Sequence, residues 1–248
     1  MEYIASGAQA DIYRDGSHAI KIFNNTFNKQ EVEYEAHLQK MAFDCGLPVP
    51  EVFDIITIDN KFGLVMEFIE GTPVGKIIQD DHSKLDEYLT KSIEIQNFTH
   101  TIEAHHFPLM KDKHRNHISN ASLLNKKEKD IILQKLENTE YDTKLCHGDF
   151  HVSNLIQTSN GIKIIDWICA GSGSPYADIY RTYLLAKIYI GEFAEIYLNT
   201  YCKIVVINKT ELFSWALITA AARLGEYTRD ENEQKALREI IENEIIKI

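Results

Sequence analysis

The sequence predicts an α+β protein with a small β-rich lobe at its N-terminal end and a larger helical lobe after it. Three observations carry that expectation. Short β-type runs crowd the first 70 residues, helical periodicity takes over after Gly71-Thr72-Pro73, and one β-flavoured island at residues 145–167 interrupts the helical part. A chain of 248 residues suits one large domain or two small ones. The expected division is 1–70 and 71–248.

The elements follow from local pattern. Residues 19–23 (AIKIF) alternate apolar and polar side chains, as a half-buried strand does. Residues 29–41 are charged and helix-like. Asn28 is placed to cap them, with Glu31 three residues on completing a capping box. Gly46-Leu47-Pro48-Val49-Pro50 reads as loop. The apolar runs 52–58 and 62–68, joined by Asp59-Asn60-Lys61, form a hairpin signal. Further on, Leu85, Tyr88, Ile95, Phe98 and Ile102 share a helical face, as do Leu237, Ile241, Ile245 and Ile248. Residues 177–190 and 212–227 also read as helices. Within the island, Asn154-Leu155-Ile156, the turn Ser159-Asn160-Gly161 and residues 162–165 spell a second hairpin.

Composition narrows the function classes. Apolar residues at 44% and charged residues at 25% match an ordinary globular protein rather than a disordered or fibrous one. A formal charge of −11 argues against a nucleic-acid backbone as partner, because phosphate binding requires a basic surface. No run of about 18 apolar residues is present to span a membrane. The first residues lack the basic and apolar regions of a signal peptide. The four cysteines (Cys45, Cys146, Cys169, Cys202) are scattered rather than paired. A reducing cytoplasm is the expectation.

Reactive side chains concentrate in His147-Gly148-Asp149-Phe150-His151-Val152-Ser153-Asn154, with Asp166 in Ile164-Ile165-Asp166-Trp167 twelve residues later. Asp149, Asn154 and Asp166 are oxygen donors where a loop leaves one strand, enters a second and exits a third. Mg²⁺ takes oxygen ligands, typically one or two carboxylates together with substrate phosphates. A carboxylate outside the metal shell can accept a proton from a hydroxyl nucleophile. Base, amide ligand and carboxylate ligand are the parts phosphoryl transfer uses.

The pattern H-x-D-x-x-x-x-N followed by I-D-W resembles the aminoglycoside phosphotransferase and choline kinase group of kinase-like enzymes, in which the motif usually reads H-G-D-x-H-x-x-N, as here. The resemblance implies a two-lobed protein-kinase-like fold, with a small antiparallel sheet and one helix in a nucleotide-binding lobe and a larger, mostly helical catalytic lobe. It implies ATP or GTP as phosphoryl donor and Mg²⁺ as cofactor. Asp149 would be the catalytic base and Asn154 and Asp166 the metal ligands, with His147 and Asp178 supporting the catalytic loop. Ala19-Ile20-Lys21-Ile22 is similar to the kinase V-A-I-K strand, so Lys21 would grip phosphates. Its helix partner would be Glu35, since Glu35-Ala36 precedes Gly46-Leu47-Pro48-Val49-Pro50 by the group's spacing of eleven residues; Glu31 and Glu33 are the alternatives. Ser6, Gly7 and Ala8 would cover the phosphates, or else form an ordinary turn between strands, since this loop has a single glycine. The main chain of Glu67 and Ile69 would meet the adenine edge, with Met66 behind it. The resemblance runs from Ser6 to about Arg181.

Two other readings share these residues. One is a catalytically inactive nucleotide-binding homologue. The other is a metal-dependent hydrolase using His147, Asp149 and His151. The acceptor would be a small hydroxyl compound: an amino sugar, choline or ethanolamine, thiamine, homoserine or a similar molecule. Glu192, Glu195, Glu226, Asp230 and Glu231 would line an acidic pocket for a cation if they converge. Trp215 and Tyr227 would add an aromatic cage for a quaternary ammonium, although solvated faces and core packing are the ordinary roles of such residues.

Overall fold

The computed structural model describes residues 1–7, 9–226 and 230–248. In chain order the elements are β1 (Glu2–Ser6), β2 (Ala10–Asp15), β3 (His18–Phe23), α1 (Lys29–Asp44), β4 (Val52–Ile58), β5 (Lys61–Glu67), β6 (Thr72–Pro73) and α2 (Val74–Asp80). Then come α3 (Leu85–Thr99), α4 (Met110–Asn120), α5 (Lys126–Asn138), β7 (Lys144–Cys146), β8 (Leu155–Thr158), β9 (Gly161–Ile164) and β10 (Gly171–Gly173). The chain ends with α6 (Pro175–Ile190), α7 (Phe193–Ile204), α8 (Lys209–Ser214), α9 (Ala216–Gly225) and α10 (Glu231–Ile245). Among the described residues no helix is long and apolar enough to cross a membrane.

Packing divides the chain into two compact units: residues 1–88 with 151–169, and residues 89–150 with 170–248. The boundary expected after residue 70 thus differs from the line that packing draws, which places residues 71–88 and the β8–β9 hairpin with the sheet.

The first unit is built on an antiparallel five-stranded sheet in the order β1-β2-β3-β5-β4. The β4–β5 hairpin forms as the turn residues predict: Asp59 and Asn60 take φ of 49° and 63°, a left-handed pair suited to the twist of a two-residue hairpin loop. Helix α1 starts where its cap predicts. The Asn28 side chain accepts from the Glu31 N–H at 3.1 Å, and Glu31 accepts from the Asn28 N–H at 2.8 Å. Its apolar face joins the sheet in a core of Ala10, Phe23, Val32, Ala36 and Leu64. The prolines at 48 and 50 end any further helix, and their carbonyls are put to use. The Ile164 N–H donates to Pro48 O at 2.8 Å, and Gln39 Nε2 donates to Pro50 O at 2.9 Å. The loop therefore ties the β8–β9 hairpin and α1 together.

The second unit is helical apart from the antiparallel pair β7–β10. Its core is lined by Ile118, Ile132, Leu136, Leu184, Leu198, Leu217, Ile218 and Ile241, all almost fully buried. The single helix expected over 212–227 is two. Between α8 and α9, Trp215 donates its N–H to Leu212 O at 3.3 Å in a tightened turn. That turn buries the indole edge-on against Tyr141, with ring centroids 4.9 Å apart. Ile102 and Ile248, expected on helical faces, lie beyond the helix ends: α3 closes in short-range turns at residues 99–102, and Ile248 is exposed.

Helices α4 and α9 meet at Gly225. A Cβ added there would sit 1.9 Å from the His117 carbonyl oxygen, far inside contact distance. We expect Gly225→Ala to destabilise the protein by about 2–3 kcal/mol, or roughly 5–10 °C in Tm, through forced separation of the two helices. Thermal unfolding checks this; an unchanged Tm would contradict the close approach.

Candidate active site

In the first unit, strand β3 places Lys21 under helix α1. Its ammonium donates to Glu35 Oε1 at 2.6 Å and lies 3.5 Å from Asp166 Oδ1. The alternatives for the helix partner are engaged elsewhere: Glu31 closes the capping box and Glu33 pairs with Lys29. Spacing on the helix explains the choice, because Glu35 falls on the buried face with Val32, Ala36 and Gln39. Burial pulls the Lys21 pKa down, but Asp166 and Glu35 more than offset it and leave it raised. Lys21 is therefore a cation at neutral pH. Desolvation lifts the Glu35 carboxyl, and Lys21 only partly restrains it. One cation faces two carboxylates, so the cluster has room for further positive charge.

The β8–β9 hairpin supplies the rest of this cluster. Its register pairs Leu155 with Ile164, and the Ile165 N–H donates to Asn154 O at 2.9 Å. Asn154 and Asp166 therefore emerge at the same open end of the hairpin. Asp166 has φ of 67°, a left-handed conformation that costs a non-glycine residue about 1 kcal/mol or more. The following turn holds it there: Trp167 is fully buried, donates its indole N–H to Ile164 O at 3.1 Å, and packs its segment against α1. An amide and a carboxylate make an incomplete, hard-oxygen donor set. This fits a Mg²⁺ that draws its remaining ligands from phosphates and water. Among the described residues no group of three or more His, Cys, Asp or Glu is placed to hold a metal by itself.

In the second unit, the loop His147–Phe150 is suspended from α6. Gly148, with φ of 77°, points its N–H at Asp178 Oδ1 at 2.7 Å, and Thr182 Oγ1 donates to Phe150 O at 2.9 Å. Asp178 is buried, and its second oxygen meets His100 Nε2 at 2.9 Å. Burial alone would raise the Asp178 carboxyl, but the His100 and Gly148 contacts hold it below the ordinary range. His147 is wholly buried and its Nδ1 accepts from the Asp149 N–H at 3.2 Å. That nitrogen is thereby engaged in the loop, where the hydrolase reading needs a metal ligand. Asp149 is partly exposed, with Arg181 Nη2 3.8 Å from its Oδ1.

The remaining expected residues are placed as follows. Ser6 Oγ donates to Asp11 Oδ1 at 2.7 Å and the Gly7 N–H to Ala10 O at 2.8 Å, so these donors close the β1–β2 turn. Ala8 lies outside the described residues, as does Tyr227. Glu67 ends β5, with its side chain on Lys163 at 3.2 Å; Ile69 follows two residues on, and Met66 packs on the core of the first unit. The five acidic candidates do not share one free face. Glu195 accepts from Tyr183 OH, Glu226 is clamped by two arginines, and Asp230 caps α10, while Glu192 and Glu231 are exposed. Trp215 is a core residue rather than a cage wall. His100, Gln96 and Thr182 were not anticipated as supports of the loop. Nothing local marks them, because their partners lie about 80 residues away or, for Thr182, 32 residues away in the chain.

Comparison with known proteins identifies the fold and the family. The chain is similar in structure to an aminoglycoside phosphotransferase, APH(4)-Ia, solved with AMP-PNP and hygromycin B: TM-score 0.70 at 14% identity, covering 98% of this chain and 93% of that one. It is also similar to choline kinase LicA from Streptococcus pneumoniae, with TM-score 0.64 and 15% identity over 96% and 91% of the two chains. A curated relative, the EKC/KEOPS complex subunit BUD32 of Enterocytozoon bieneusi, is 22% identical over 85% of this chain and 92% of its own length. The family model described as phosphotransferase enzyme family matches residues 2–216. The fold is kinase-like, and the chain belongs to the phosphotransferase enzyme family.

Proposed function

We propose that this small-molecule kinase transfers the γ-phosphoryl group of ATP or GTP to a hydroxyl of its acceptor, with Asp149 as the base. The observation that carries the reading is the Lys21–Glu35–Asp166 cluster: a part-buried ammonium held at 2.6 Å by a helix carboxylate and 3.5 Å from a second carboxylate at the hairpin end that also carries Asn154. Lys21, steadied by Glu35, binds α- and β-phosphate oxygens. Asn154 and Asp166 hold Mg²⁺, which when bound screens phosphate charge. Asp149 orients the acceptor and takes its hydroxyl proton as the acceptor oxygen bonds to phosphorus and the bridge to the departing nucleoside diphosphate breaks. Such catalysis rests on positioning and charge neutralisation.

One structural neighbour solved with AMP-PNP and hygromycin B, and another named a choline kinase, support a small hydroxyl acceptor. A cationic acceptor finds less support, because three of the five acidic candidates already have partners. Similarity to a named complex subunit favours a second reading, an inactive nucleotide-binding homologue. Retention of Asp149, Asn154 and Asp166 argues for turnover.

Asp149→Ala is expected to lower kcat by about 10²–10⁴-fold with nucleotide affinity nearly unchanged, as coupled turnover and equilibrium binding would measure. Wild-type-like turnover would refute the base assignment. Lys21→Ala is expected to cut kcat/KM for the nucleotide by roughly 10²-fold or more; unchanged kinetics would remove Lys21 from the site. Asp178 has a folded pKa below its unfolded one, so its stabilisation is complete above the ordinary carboxylate range and is lost as pH falls through the acid range. Asp178→Asn should therefore lower stability at pH 7 by about 2–3 kcal/mol and flatten the acid limb of stability against pH. A limb as steep as that of the wild type would contradict this.

A further inference from the structure

Arg181 on α6 is buried and faces two carboxylates at unequal distance. Its Nη1 and Nη2 donate to the two oxygens of Glu226 at 2.6 and 2.9 Å, while Asp149 stands 3.8 Å away. The first contact is a two-pronged salt bridge; the second is too long for a hydrogen bond and acts through charge alone. Glu226 is itself anchored, since Arg223 Nη1 donates to it at 2.6 Å and Arg223 Nε to Glu233 Oε1 at 2.5 Å. Glu233 is fully buried and also accepts from Tyr189 OH at 2.6 Å. A chain of alternating charge thus runs from α10 through α9 to α6 and ends beside Asp149, all within the second unit.

We propose that Glu226 holds Arg181 off Asp149. Arg181 and Glu226 are then positioning residues: the guanidinium keeps the Asp149 carboxylate ionised and oriented without engaging the oxygen that must receive the acceptor's proton. The proposal rests on the assignment of Asp149 as base. A guanidinium fully seated on that carboxylate would weaken it as a base and occupy its lone pairs. Glu226 competes because it is a full negative charge at neutral pH: burial alone would raise its pKa, but Arg181 and Arg223 hold it down to about 2. His114 on α4 is pushed down to about 3, chiefly by burial, and His117 is lowered for the same reason, so both are neutral. Lys113 donates to Ala170 O at 2.7 Å, His147 is turned to the Asp149 N–H, and Asp178 is held by Gly148 and His100.

The test compares wild type, Glu226→Gln and the charge-neutral double variant Arg181→Gln/Glu226→Gln. Asp149 is followed by carboxyl-carbon NMR on ¹³C-aspartate-labelled protein, its signal assigned by loss in Asp149→Asn. Glu226→Gln is expected to release Arg181 onto Asp149. That should lower the Asp149 titration midpoint by about 1 unit or more and reduce kcat at least tenfold, while KM for the nucleotide stays within about twofold. The double variant, with no guanidinium left to seat on Asp149, should bring the midpoint back up and regain part of the lost kcat without reaching the wild-type value, whereas a purely structural role makes it no better than the single one. An unmoved Asp149 midpoint in Glu226→Gln, or a double variant as slow as the single, would overturn the proposal. Should Glu226→Gln fail to fold, Glu226→Asp keeps the charge but retracts it, and is expected to shift Asp149 in the same direction by less. A shifted midpoint in a protein that transfers no phosphoryl group would uphold the Arg181 geometry and count against Asp149 as base.

Discussion

A carboxylate taken out of water must be given donors, and the cost of leaving it without them exceeds most other single terms in a protein of this size. Glu35, Asp178 and Glu233 are all essentially buried, and each is met by donors from another element of the fold. Glu35 receives Lys21 from the neighbouring strand, Asp178 receives Gly148 and His100, and Glu233 receives Arg223 and Tyr189. Each pairing fixes an element that apolar packing alone would leave free to slide. The first sets the register between α1 and β3, the second sets the conformation of the His147–Phe150 loop, and the third locks α10 to α9 and α6.

The same constraint shapes the chemistry. Buried pairs are rigid, so the groups next to them are presented in one orientation. Asp166 shares Lys21 with Glu35 yet keeps about a third of its side chain exposed, while Asn154 at the same hairpin end is nearly buried. The strained backbone of Asp166 is tolerated because Trp167 and the Ile164 carbonyl over-determine the turn. In the second unit, Asp149 owes its presentation to Gly148, whose left-handed backbone aims its N–H at Asp178.

Much of this was legible in the sequence where the signal is local. The capping box at Asn28, the Asp59-Asn60 turn and the Gly161 hairpin all form as their residues dictate. Glu35 is preferred to Glu31 and Glu33 in the sequence only through the resemblance to the kinase-like group, and helix periodicity explains its place on the buried face of α1. What was not legible depends on distant contacts. His100 looks like any histidine at a helix end, and Arg181 like a charge within an apolar helix. Only folding brings the first to Asp178 and the second between Asp149 and Glu226. The Trp215 break was hidden because a helix-compatible pattern continues across it, while burial against Tyr141 decides the geometry. For the acidic residues near the C-terminal end the sequence leaves a pocket and solvated faces both open, and only folding pairs Glu226 with Arg181 and Arg223 and brings the Tyr183 hydroxyl to Glu195.

The most direct measurement is ³¹P NMR of the protein with Mg²⁺ and either ATP or GTP, in the presence of a panel of hydroxyl compounds spanning amino sugars, choline, thiamine and homoserine. The account predicts that for at least one acceptor the γ-phosphate resonance is replaced by a new phosphomonoester signal in step with nucleoside diphosphate. A nucleotide spectrum that stays unchanged, or that yields only inorganic phosphate with every acceptor, would contradict it.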